Sequence, residues 1–128
     1  MKSRVYNCPV EATLDVIGGK WKPLILWWLN ERTHRFAELR RRMPGITEKM
    51  LTQHLRELEV DGIVARKVYA TVPPRVEYSL TEYGSSLKRA LKAICDWGRV
   101  HIERTNVELA APARATRRRS GVRPSVAP

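Results

Sequence analysis

Long apolar runs are missing from this 128-residue chain. The longest, residues 23–29, spans seven residues, far short of the ~20 that a membrane-crossing helix needs. The opening MKSRVYNCPVEATLD holds no continuous apolar core of the kind a secretory signal requires. Cysteine is scarce: Cys8 and Cys95 form no CxxC pair and are too few for a disulfide framework. His34, His54 and His101 add no metal-ligand spacing and read as surface or edge residues, so neither metal nor cofactor is expected. P-loop, GxGxxG and GxSxG patterns are all absent. A soluble cytoplasmic protein without visible catalytic equipment is the expectation.

Acidic residues are also under-represented. Lys and Arg number 24 against 13 Asp and Glu, a net charge of +11. Five of the bases (Arg114, Arg117, Arg118, Arg119 and Arg123) lie in an acid-free stretch, residues 112–128. The rest of the chain still carries 19 bases against 13 acids, so its basicity does not come from the tail alone. Such a balance points first to nucleic acid and second to an acidic membrane surface.

What is present reads as one domain over residues 1–110, followed by a disordered basic tail over residues 111–128, rich in Pro, Ala, Arg and Ser. Val10, Leu14 and Ile17 fall at helical spacing between Pro9 and the pair Gly18-Gly19. Residues 22–32 form a second helix, apolar almost all round, which must be buried on most sides. Phe36, Leu39 and Met43 mark a short third helix, and Pro44-Gly45 breaks it. Thr47 caps a fourth helix and Gly62 sits where a left-handed terminator is expected. Residues 63–69 and 75–80, rich in β-branched and aromatic side chains, read as a two-stranded hairpin with a proline-bearing tip. Thr81 is placed to cap a long last helix, on which Leu87, Leu91, Ile94, Gly98 and Ile102 make one apolar stripe. The stripe is longer than so small a domain needs for its own core. The fold class is α+β, mainly helical: a winged helix-turn-helix with a two-stranded wing and N- and C-terminal dimerisation helices.

At ~100° per residue, Leu51, Leu55 and Leu58 cluster within ~60° on the fourth helix. Lys49, Thr52, Gln53 and Arg56 occupy the opposite side. These residue types bond base edges and phosphates. Just upstream, Arg40, Arg41 and Arg42 stand where the first helix of such a motif crosses the backbone. The hairpin adds Arg66, Lys67 and Arg75, the last placed to approach a narrow minor groove. With the capping Thr47 these residues form the candidate DNA-binding set.

The motifs Gly18-Gly19-Lys20-Trp21, Arg35-Phe36-x-x-Leu39, Pro44-Gly45-Ile46, Met50-Leu51-Thr52-x-x-Leu55-Arg56-x-Leu58, Asp61-Gly62-Ile63-Val64-x-Arg66 and Pro73-Pro74-Arg75-Val76-Glu77-Tyr78-Ser79-Leu80-Thr81 carry a resemblance. Over residues 8–104 the sequence resembles the HxlR family of bacterial winged-helix transcriptional regulators, of the MarR-like superfamily. The resemblance implies a homodimer held by the N- and C-terminal helices. It would bind a palindromic operator on double-stranded DNA in the bacterial cytoplasm, at the nucleoid when bound, and act as a repressor. Trp27-Trp28 and His54 depart from the family pattern, and the Arg-rich tail lies outside it.

Cys8, directly before Pro9, stands where helix N–H groups favour a thiolate; Glu11 opposes this, and Lys2 and Arg4 assist. Several members of the family carry a cysteine near this position that senses oxidants or electrophiles, so the resemblance implies Cys8 as a redox-sensor candidate. A small residue at a dimer interface is the competing reading. Cys95 reads as a packing residue. Trp21, Trp28 and Trp97 are candidates for a small-molecule effector pocket, set against plain core packing. The rival function is a basic winged-helix module that binds protein or RNA without sequence-specific DNA readout; an enzyme comes third.

Overall fold

A computed structural model describes residues 5–107. The Arg-rich tail, and Lys2 and Arg4 beside Cys8, lie outside the described residues. Contacts divide the chain into two compact units, meeting between Lys88 and Arg89. The first unit runs α1 (Pro9–Ile17), α2 (Trp21–Glu31), β1 (His34–Arg35), α3 (Phe36–Arg41), α4 (Glu48–Val60), β2 (Val64–Tyr69), β3 (Arg75–Leu80) and α5 (Glu82–Ser85). No helix among the described residues is long and apolar enough to cross a membrane.

Ile17, Ile25, Leu26, Leu29, Leu39, Met43, Ile46, Leu51, Leu55, Leu58, Ile63 and Val64 make the buried core of this unit. Helices α2, α3 and α4 bury Leu26, Leu29, Leu39, Leu51, Leu55 and Leu58, whereas α1 contributes Ile17 and leaves Val10 and Leu14 exposed. Trp21, Trp27 and Trp28 are half-buried and Leu24 is exposed. Helix α2 is therefore less enclosed than its composition suggests. Truncating a fully buried leucine such as Leu55 would cost ~2–5 kcal/mol.

The sheet is antiparallel, in the order β1-β3-β2. Strands β2 and β3 pair from Val64↔Leu80 to Tyr69↔Arg75, the expected hairpin. Its third strand, β1, was not expected from the sequence. It pairs His34 with Tyr78 and Arg35 with Glu77. His34 is consequently not a surface or edge residue: it is only 1% exposed, and its Nδ1 lies 2.8 Å from the Arg32 carbonyl oxygen. Burial pushes its imidazole below the ordinary value of 6.5.

The long last helix expected from Thr81 onward is in fact two helices. Thr81 does cap, with its hydroxyl accepting from the Gly84 N–H at 2.8 Å, but it caps only the short α5. Ser86 N–H bonds the Tyr83 carbonyl and Leu87 N–H the Gly84 carbonyl, a tightened turn that ends the element. The Thr81 hydroxyl also donates to the carbonyls of Gly62 (2.6 Å) and Ile63 (3.2 Å), and its N–H to Ile63 (3.0 Å). The exit of the hairpin is thus fastened to its entry.

Nearly all of α6 (Lys88–Thr105) belongs to the second unit. Leu91 is its buried residue, while Ile94, Trp97 and Val100 are exposed along one side. The Trp97 and His101 rings stack with centroids 5.2 Å apart. Cys95 is half-buried and its sulfur accepts from Arg99 at 3.6 Å.

Candidate nucleic-acid interface

Helix α4 is fixed at both ends by its own sequence. The Thr47 hydroxyl accepts the Met50 N–H at 3.0 Å, and Glu48 places negative charge in the first turn. At the other end Gly62 adopts φ +77°. Its N–H bonds the Glu59 carbonyl and the next N–H, of Ile63, bonds the Leu58 carbonyl. These two bonds are the paired closure of a Schellman motif, which only a residue tolerant of positive φ makes easily. Leu51, Leu55 and Leu58 are buried on one side. On the other, Lys49, Thr52, Gln53 and Arg56 are exposed and line an open groove of about 480 Å³ together with Glu57. The leucines fix the rotation of the helix, and that rotation turns the polar set outward.

Glu57 is the residue that sequence reasoning missed. Its Oε1 lies 2.8 Å from Lys22 Nζ on α2 and its Oε2 accepts from the Gln53 amide at 3.2 Å. His54 Nδ1 is 3.6 Å from the same Oε1. The Lys22 ammonium, then the Gln53 amide, hold the Glu57 carboxyl down to about 2, so it is ionised at neutral pH. The i, i+4 spacing from Gln53 was legible in the sequence. The link to Lys22 was not.

The three arginines of the preceding segment separate. Glu38 reaches back to the Arg35 N–H at 2.9 Å to start α3, and that bond lowers its carboxyl below the ordinary range. Arg41 is exposed, with no partner among the described residues. Arg40 is exposed and its Nε stands 3.5 Å from the Ile46 carbonyl oxygen. Arg42 turns inward: its guanidinium sits 4.3 Å from the centroid of Trp28 and 3.4 Å from Glu31, with the side chain 18% exposed. Gly45, at φ +97°, lets the chain reverse into α4, and the Trp21 ring lies 3.8 Å from where a Cβ there would stand.

The wing cations also divide. Register places Lys67 opposite Glu77 and Tyr69 opposite Arg75, all on one face, whereas Arg66, opposite Tyr78, is on the other. Arg66 is exposed and Lys67 stands 5.1 Å from the Tyr69 ring centroid. The Arg75 guanidinium stands over Tyr69, 4.2 Å from its centroid, with Nε 3.3 Å from Glu77. It is therefore held along the wing rather than projecting from its tip.

Two other candidate sites take simpler forms. Cys8 is exposed at the N-cap of α1, and its side chain makes no capping bond. Of the tryptophans, Trp21 carries Lys20 at 4.6 Å and Trp28 carries Arg42, so a cation already occupies a face of each ring. Trp97, on α6, is 67% exposed.

Comparison with known proteins agrees with this geometry. The HxlR-like helix-turn-helix family matches residues 16–106. The uncharacterized HTH-type transcriptional regulator YtcD of Bacillus subtilis is 58% identical over 104 residues, covering 81% of this chain and 82% of the relative. Among solved structures, the redox regulator HypR in its oxidized form superposes with a TM-score of 0.69 at 56% identity, covering 71% of this chain and 94% of that one. The reduced form of the transcriptional regulator YodB from B. subtilis gives 0.64 at 35% identity, covering 72% and 91%.

Proposed function

The chain belongs to the HxlR-like helix-turn-helix family of transcriptional regulators, and from that premise we propose a homodimeric repressor that reads a palindromic operator with α4. The observation that carries this reading is the division of α4 into a buried leucine face and an open face of Lys49, Thr52, Gln53 and Arg56. In the proposed complex these four side chains meet the major groove. Thr47 at the N-cap comes near a phosphate, as residues at the start of a recognition helix do. Arg41, with Arg40 beside it, neutralises the backbone, while Arg42 serves the fold. Arg66, Lys67 and Arg75 flank the adjacent minor groove from the two faces of the wing. A regulator of this kind would work in the cytoplasm.

The dimer is supported by apolar residues left open on two helices: Val10 and Leu14 on α1, and Ile94, Trp97 and Val100 on α6. A second copy would remove these from water, and its α4 would lie about one turn of B-DNA, ~34 Å, from the first. Light scattering at micromolar concentration tests the dimer, and a monomeric mass refutes it. Mobility shifts with the chain's own upstream DNA test the rest. Failure to bind any duplex would favour the protein- or RNA-binding alternative.

Redox control through Cys8 is the finer part of the proposal. It is supported by the exposed thiol and by the likeness to the redox regulator HypR. Diamide should release the operator from the wild-type chain but not from Cys8→Ser. Equal release from both would dismiss Cys8.

A further inference from the structure

The groove on α4 contains one acid among its five lining residues, Glu57, and that acid is fixed from two sides. Lys22, only 13% exposed, ties Oε1 to α2 at 2.8 Å. Its Oε2 takes an N–H of Gln53 at 3.2 Å. An ionised carboxylate only accepts hydrogen bonds, so the edge of the Gln53 amide facing it must be nitrogen. We propose that Glu57 is a specificity-determining positioning residue, holding the Gln53 amide in one of its two flips so that the base edge Gln53 meets sees a fixed donor–acceptor order.

This inference rests on the reading of α4 as the major-groove helix. With one amide hydrogen committed to Glu57, Gln53 keeps one hydrogen and its carbonyl oxygen. That pair is what bidentate recognition of adenine N7 and N6 requires. A free glutamine flips between two orders at little cost. A clamped one favours one orientation of an A·T pair over the reverse. Glu57 also leaves a carboxylate in the groove, which repels the acceptor atoms of a guanine edge. A glutamate carboxyl is ionised at neutral pH with or without Lys22, so the clamp is one-directional in either case.

Selection of bound duplexes from a randomised pool, with the full-length chain and its variants at one salt concentration, tests this. Gln53→Ala should relax preference at one base-pair position in each half-site. Glu57→Gln should relax the same position, lowering discrimination there by on the order of tenfold, and should add nothing in the Gln53→Ala background. Lys22→Met removes the tie to α2 but leaves Glu57 beside Gln53, so the preference should survive even where thermal stability falls. If Glu57→Gln does not fold, Lys22→Met/Glu57→Met replaces both members of the pair without stranding a charge and is expected to show the same relaxed position. Uniform loss at all positions, no loss, or an equal effect from Lys22→Met overturns the proposal while the reading of α4 stands. If Gln53→Ala and Arg56→Ala both leave the selected sequence unchanged, the reading and the proposal fall together.

Discussion

Arg41 and Arg42 are neighbours in sequence with opposite expected phenotypes, which makes them the sharpest test of how this surface is built. Arg42→Ala removes a guanidinium 4.3 Å from the Trp28 centroid and 3.4 Å from Glu31. The side chain is mostly desolvated, so the ring contact belongs toward the upper end of the ~0.5–2 kcal/mol range. Glu31 is about half exposed, which holds the ion pair to ~0.2–1 kcal/mol. Together they give a loss of ~2–3 kcal/mol, or ~8–20 °C in Tm for a domain of this size. Arg41→Ala, at an exposed position without a partner among the described residues, should move stability by less than ~0.5 kcal/mol. DNA binding reverses the order. Losing one phosphate contact should reduce the slope of log affinity against log salt by ~0.9 per chain for Arg41→Ala, with little change in sequence preference. For Arg42→Ala the slope should hold. Thermal melts and a salt series on both variants decide the matter. An Arg42→Ala protein that melts like wild type yet loses as much salt slope as Arg41→Ala would refute the assignment.

Arg56→Ala should weaken operator binding by ~1–3 kcal/mol at fixed salt with far less effect on random duplex; unchanged operator affinity would remove Arg56 from the reading set. His34 gives a pH signature. Burial lowers its folded-state pKa below 6.5, so on acidification the unfolded chain binds the proton first. Its contribution is therefore complete above 6.5 and is lost as pH falls beneath it. Urea melts across that window should show stability rising with pH in wild type and a flatter profile in His34→Gln; identical profiles would dismiss the effect. Gly62→Ala and Gly84→Ala separate strain from space. At Gly62 a Cβ meets nothing within 4 Å and the cost is the positive φ, ~1–2 kcal/mol. At Gly84 it would stand 2.1 Å from the Ile63 carbonyl oxygen, a backbone atom, so the urea midpoint should fall further. The reverse ranking would count against this account of α5.

The elements most legible in the sequence are those whose signals are local. Helix α4 announces itself by its leucine period, the Thr47 cap and the Gly62 stop, and the polar face follows by subtraction. Strand β1 is two residues long and has no period to detect; it exists because β3 offers Tyr78 and Glu77 across the sheet. The buried state of His34 goes with it. The join between α5 and α6 escaped because an apolar stripe crosses it, while the bonds that end α5 are backbone bonds at Ser86 and Leu87. The division of Arg40 to Arg42 was in principle readable, since three consecutive residues span ~200° of a helix and cannot share one face. Which of them turned inward depended on Trp28 and Glu31, on another helix. Glu57 escaped for the same reason: its partner Lys22 lies far away in the chain.

The Thr81 fastening has a mechanical consequence. Because the hydroxyl and N–H of Thr81 hold the carbonyls of Gly62 and Ile63, the hairpin between them is a loop closed at its base. Closing a flexible loop of twice the length costs only ~0.6 kcal/mol more. Residues inserted at the tip would therefore lengthen the wing while leaving the end of α4 where it is. In this architecture the length of the wing and the direction of α4 can be altered independently.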